Sequence, residues 1–254
     1  MLKVIDCENQ ESAVNSLCGL FRCSSDDLCD QLLQIDIDRT YEQDEPDCPP
    51  DEFLYRRLVL AFGQPDEPQG IYWFHLTRTS PQNRFHEGIL PLGMALDSIW
   101  EMVLSIFKFS QHFSRLQSMR MHGVSNYHYQ LKTPDPFHWG PFAMLVRDVA
   151  FDAKRIGNHD YLWLPEIIED ICNDYLDKYG VSIHEDVVNA LVPCIIKFVA
   201  RDNNDTGCVG PAINYVYSCI RGEPVSHYAN TCFDAGGRVI PPGDILKIEY
   251  LENP

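Results

Sequence analysis

The chain has 254 residues, 45% of them hydrophobic and 22% charged, which suffices for one large domain or two small ones of ordinary globular composition. Its net charge is −17, and residues 1–70 alone carry 16 acids against 5 bases, a surface that repels phosphate backbones and argues against non-specific nucleic-acid binding. No apolar run approaches the roughly 18 residues that a membrane span needs, and MLKVIDCENQ has no basic region followed by an apolar core. A soluble, cytoplasmic protein is therefore expected. The ten cysteines include no CxxC pair and no tight repeat, so they read as reduced thiols rather than as a zinc site or a disulfide framework.

In chain order, residues 8–35 place Ala13, Val14, Leu17, Leu20 and Phe21, then Leu28, Leu32 and Leu33, at helical spacing. Ser24-Ser25-Asp26-Asp27 between them supplies a cap and first-turn acids for a second helix. Residues 36–50, rich in Asp and Pro, read as a loop. Pro49-Pro50-Asp51-Glu52 opens a helix that runs to Phe62 and closes at Gly63. The first 69 residues thus form an acidic helical lobe, and residues 70–254 form the α+β core domain.

Ile71 to Thr77 is apolar, aromatic and β-branched with no helical period, and predicts a buried strand. It carries His75, Thr77 and Arg78 to its end, where a polar turn leads to Gly88-Ile89-Leu90. A buried strand that holds such groups must give each a hydrogen-bond partner, so this strand end is the first candidate site. A helix is expected from Met94 to Gln117, a short strand at Tyr127–Leu131, and a helix from Phe142 to Ala153. Residues 165–179 read as the clearest helix, with Pro165 at its start and Gly180 beyond its end. Its acids, Glu166, Glu169, Asp170, Asp174 and Asp177, are expected on a solvated face. Ser182 and Glu185 form a capping-box pattern before a short helix to Leu191. Cys194–Ala200 predicts a second buried strand, 202–207 a loop, and Pro211–Ile220 a helix. Strands and turns fill the stretch from Thr231 to Leu251. Helices early and strands late give an α+β class with a split antiparallel β core.

The pieces Phe74-His75-Leu76-Thr77, Gly88-Ile89-Leu90 and Val239-Ile240-Pro241-Pro242-Gly243-Asp244-Ile245 resemble ADP-ribosyltransferases, closest to the DNA-targeting toxin group and the RNA 2′-phosphotransferases. The likeness covers about 40 of the 254 residues. It implies a split β core that holds NAD as a substrate, with His75 on the nicotinamide-side ribose and Thr77 near the nicotinamide. Arg78 would pair with the pyrophosphate, because a guanidinium fork suits phosphate oxygens, and Gly88 would line the same site. The product would be an ADP-ribosylated macromolecular acceptor, as a toxin or effector makes. Such transfer passes through an oxocarbenium-like cation and needs a carboxylate. The family places a Glu ahead of its Ile-Pro turn; this chain has Asp234 there, with Glu223 as the alternative.

Three further readings compete. Cys208 lies just ahead of a helix, with His227 and Asn230 following in an order that suits a Cys–His hydrolase. The aromatic stretch from His128 to Trp139 lines a nucleobase pocket or caps the core. A non-catalytic protein whose acidic surface meets a basic partner is the third class.

Overall fold

The structure, a computed structural model, describes residues 3–43, 46–200 and 206–252. In chain order its regular elements are β1 (Val4–Ile5), α1 (Gln10–Phe21), α2 (Ser25–Leu33), α3 (Ile37–Gln43), α4 (Pro50–Phe62) and β2 (Gly70–Thr79). Next come α5 (Leu92–Ile106), α6 (Phe113–His122), α7 (Tyr127–Lys132), β3 (Phe142–Met144), α8 (Ala153–Ile156) and α9 (Glu166–Tyr179). The last are α10 (His184–Ala190), β4 (Val192–Ala200), α11 (Val209–Ile220), β5 (Cys232–Asp234) and β6 (Ile245–Tyr250). The fold is α+β. Its sheet runs in the order β5-β3-β2-β4-β6, and β1 adds to β2 in parallel with Val4 opposite Gly70. Strand β2 pairs antiparallel with β3, Phe74 opposite Met144. Strand β4, VPCIIKFVA, is buried from Pro193 to Val199, as a strand covered on both faces should be.

The chain divides into two compact units, each discontinuous in sequence. The first comprises Met1–Phe74, Ala143–Asn158 and Phe198–Phe233. Its centre is α11, buried at every residue from Val209 to Ser218, against which α1, α2 and α4 pack. A helix apolar on all sides can exist only when wrapped in this way. The expected helical lobe, 1–69, lies within this unit. The second unit comprises His75–Phe142, His159–Lys197 and Asp234–Pro254. Its core joins Trp100, Val103, Leu116, Ile168, Ile171, Tyr175 and Val187 from α5, α6, α9 and α10. Each such side chain, taken from water, contributes about 1.5–3 kcal/mol.

Several expectations change. The loop expected at 36–50 contains α3, whose first turn is tied by Thr40 Oγ1 and the Asp36 side chain. The helix expected over 94–117 is two helices, α5 and α6. The serine hydroxyls of Ser105 and Ser110 take the carbonyls of Met102 and Phe107 at the break, competing with the helical ladder. Tyr127–Leu131 is helical, because the Asn126 side chain caps it by accepting from the Tyr129 N–H at 3.1 Å. Phe142 to Ala153 opens as strand β3 and continues as a 3-10 turn, Arg147–Phe151. Ala143 to Val146 are all buried, a run that a one-sided helix could not hide. Ser182 forms no capping box: Ile183 occupies the cap, with no side-chain hydrogen bond. Part of the loop expected at 202–207 lies outside the described residues.

The acids of α9 do not share one solvated face. Asp170 and Asp174 are buried, 5% and 3% exposed. The Lys132 ammonium reaches Asp170 at 3.0 Å and Glu166 at 2.7 Å, and Lys178 lies 2.7 Å from Asp174. Those contacts draw the Glu166 carboxyl below its usual range and hold Lys132 above its own, against the effect of burial on both.

Candidate functional site

Strand β2 enters the second unit at His75, and its sequence decides what that end presents. Alternation sends His75 and Thr77 to one side and Leu76 and Arg78 to the other. His75 is half-buried, and its Nδ1 lies 2.7 Å from the Phe142 carbonyl oxygen. A carbonyl can only accept, so Nδ1 carries the proton and Nε2 keeps its lone pair. Burial pushes the pKa of His75 below its ordinary value, and the carbonyl contact offsets only part of that. The imidazole is therefore neutral, with Nε2 making no hydrogen bond to the described residues. Thr77, two residues on and half-buried, offers its hydroxyl on the same side.

Arg78 is placed differently from the phosphate-facing role expected of it. It is 2% exposed, and its guanidinium donates to the backbone carbonyls of Leu162 (2.9 Å), Leu191 (3.1 Å) and Val188. The cation holds three loop and helix-end carbonyls together inside the fold. It is a staple, not an anion-binding group.

Gly88 joins the two halves of the sequence pattern. Its φ is +83°, and Ile89 beside it forms an isolated antiparallel bridge with Ile240, with N–H to carbonyl bonds of 2.9 and 3.0 Å in both directions. A Cβ on Gly88 would overlap the Ile240 carbonyl oxygen and stand 3.2 Å from the Pro242 nitrogen. Only glycine allows this approach. The Gly88-Ile89 and Ile240-Pro241-Pro242 pieces, with Ile89 and Ile240 151 residues apart, thus meet.

Asp234 is exposed at the end of β5, its Oδ1 accepting from the Gly236 N–H at 2.8 Å. The bonds from Leu145 N–H to Thr231 O and from Ala235 N–H to Pro141 O set Asp234 opposite Phe142 on β3. Phe142 and Met144 share a face, and Met144 pairs with Phe74, the residue before His75. Asp234 and His75 therefore project from opposite faces of the sheet. The carboxylate that the resemblance sets at Asp234 therefore does not share a face with the His75 that it sets on the ribose.

Phe142, which the sequence reading set in a helix, is the residue missed at this site. The Gly140-Pro141 pair before it marks a turn and was the available signal. Its ring is 40% exposed, and Phe137 nearby in sequence is 77% exposed. The aromatic stretch between is partly structural. The Trp139 indole donates to Thr133 O at 3.1 Å, its carbonyl accepts from Leu92 N–H at 2.9 Å, and its ring covers Gly93 so closely that any Cβ there would overlap it.

In the first unit, Cys208 is 1% exposed, closed to any substrate. His227 stands exposed on a 3-10 turn with its ring 3.9 Å from that of Tyr228, and Glu223 is exposed after α11. Asn230 buries its Oδ1 with no hydrogen-bond partner among the described residues. The sealed thiol disfavours the Cys–His reading. Among the described residues, no helix is long and apolar enough to cross a membrane. Set against family models, curated proteins and solved structures, the chain matches none of them.

Proposed function

We propose that the protein binds NAD in the manner of an ADP-ribosyltransferase, for transfer of ADP-ribose to a macromolecular acceptor, with His75 against the nicotinamide-side ribose. The observation that carries the reading is the neutral His75, fixed by a backbone carbonyl with its Nε2 lone pair open. That atom accepts a hydrogen bond from a sugar hydroxyl, and the Thr77 hydroxyl beside it suits the nicotinamide amide. The bridge between Gly88-Ile89 and Ile240 supports it further, because it sets the two sequence pieces of the resemblance side by side.

The ribose end fits these residues and the pyrophosphate end does not fit Arg78, which is spent on carbonyls. Arg84 on the following loop is the cation this reading sets there: its Nη1 donates to the Pro81 and Asn83 carbonyls at 2.8 and 3.0 Å, but unlike Arg78 it is exposed, with its guanidinium 5.4 Å from the Tyr250 ring centre. When bound, NAD supplies a glycosidic bond whose cleavage leaves a cationic ribose. The part of the chain's own residues is to hold that ribose. Asp234, on the other face, has no part in it.

A thermal-shift series with NAD, nicotinamide and buffer tests the proposal. Saturation at 100 times the dissociation constant adds about 2.7 kcal/mol to the bound fold, a rise of roughly 5–11 °C for a chain of this size. His75→Ala should lose that rise. No shift at millimolar NAD, or an equal shift in His75→Ala, would reject the reading.

A further inference from the structure

Helix α1 ends in a turn that sets two cysteines side by side. The N–H groups of Arg22 and Cys23 both reach back to the Cys18 carbonyl, the second at 3.3 Å, and Arg22 stands in the left-handed conformation at φ 58°. In this six-to-one closure, the residue after the left-handed position packs its side chain on the residue five before it. Those two residues are Cys23 and Cys18. Each sulfur is an electrostatic neighbour of the other, and both residues are partly exposed. An arginine fills a place that glycine usually takes, so hydrogen bonds and packing set the turn, not backbone preference.

We propose that Cys18 and Cys23 are an oxidisable dithiol that a peroxide converts into an intramolecular disulfide. The Cys23 thiolate attacks one peroxide oxygen. The O–O bond breaks, and water and a Cys23 sulfenic acid result. The Cys18 sulfur then attacks the Cys23 sulfur, the S–O bond breaks, and a second water leaves as the S–S bond forms. The two sulfurs together give up two electrons, peroxide takes them, and both thiol protons end in the two waters.

Burial pushes both thiols above their ordinary value, Cys18 the further of the two, to about 12, so Cys23 is the attacking group. Cys29 and Asp27 face both sulfurs and raise them further. The pair is thus slow at neutral pH, and the surrounding negative charge favours a neutral oxidant over an anionic one. Asp26 and Asp30 bear on Cys29 in the same sense.

The test uses the reduced full chain, hydrogen peroxide at pH 7 and pH 8, and thiol blocking followed by trypsin. Cleavage after Arg22 yields peptides 4–22 and 23–39. The disulfide should hold them together, with fragmentation placing the bond between Cys18 and Cys23 and dithiothreitol releasing it. Closure should be about tenfold faster at pH 8, following the thiolate fraction. Cys18→Ser should accumulate sulfenic acid on Cys23, trapped by dimedone, and Cys23→Ser should leave Cys18 unoxidised. Peroxide consumed at Cys232 or elsewhere without joining the two peptides would overturn the proposal. So would a bond that fragmentation places on Cys7 or Cys29.

Discussion

Replacing Gly88 with Ala probes the contact on which the candidate site is built. Two penalties follow from the geometry. A φ of +83° costs an L-residue about 1–2 kcal/mol. The new Cβ would also overlap the Ile240 carbonyl oxygen and stand 3.1 Å from its carbon, so the two chains must part. Their separation gives up the Ile89–Ile240 pair of backbone hydrogen bonds, about 0.5–1.5 kcal/mol each. The sum is about 3 kcal/mol. For a chain of this length that lowers the melting temperature by roughly 6–12 °C. Gly180→Ala is the matched control. Gly180 caps α9 in the same unit at φ +68° with nothing within 4 Å of its missing Cβ, so it suffers only the backbone penalty. Melting followed by circular dichroism, with both variants side by side, separates the steric cost from the conformational one. If Gly88→Ala melts within about 1 °C of Gly180→Ala, the bridge to Ile240 is not as close as described. The placement of the two sequence pieces would then be wrong.

Asp234→Asn should leave NAD binding and any NAD cleavage unchanged, because its carboxylate faces away from His75; loss of cleavage measured by nicotinamide release would restore it to the site. Arg78→Ala should cost about 3 kcal/mol or more in urea unfolding by stranding buried carbonyls, and Arg78→Lys should recover little, since an ammonium lacks the planar fork. A His75 held neutral binds fewer protons folded than unfolded, so its contribution is complete above the unfolded pKa of about 6.5 and declines as pH falls below it. His75→Gln should flatten the melting-temperature profile between about pH 6.5 and 5; an unchanged slope there would refute the neutral assignment. Cys208, at 1% exposure, should react with a thiol reagent only at the rate of unfolding, and fast labelling in the native protein would reopen the hydrolase reading.

What the sequence made legible was local. Pro165 and Gly180 bounded α9, the Ser24 cap opened α2, and the absence of helical period marked β2. What it concealed depends on partners far along the chain. Asp170 and Asp174 lie on a helix whose acids suggest a wet face, yet Lys132, 38 residues from Asp170, draws that carboxylate inside. The Asn126 cap made a helix of a segment whose aromatic content suggested a strand, because one side-chain oxygen on the Tyr129 N–H outweighs a weak β preference. His75 and Phe142 are 67 residues apart, and no local pattern couples them.

The period-two geometry of β2 explains why His75 and Arg78 have opposite fates although three residues separate them. One face of the strand end carries His75 and Thr77, whose Nε2 and hydroxyl make no hydrogen bond to the described residues. The other carries Arg78, which meets the carbonyls of Leu162, Val188 and Leu191. Each face demands the residue it has. An arginine at 75 would meet only the Phe142 carbonyl and leave donors unpaired, whereas a histidine at 78 could satisfy at most two of the three acceptors. A slip of one residue in the β2–β3 register would exchange the faces, burying Thr77 without a partner and exposing Arg78. Phe74 opposite Met144 blocks that slip, since both are buried apolar side chains that solvent would otherwise reach. The packing that fixes the register thereby also fixes which side chains are open to a ligand, and a substitution at Met144 should disturb His75 without touching it.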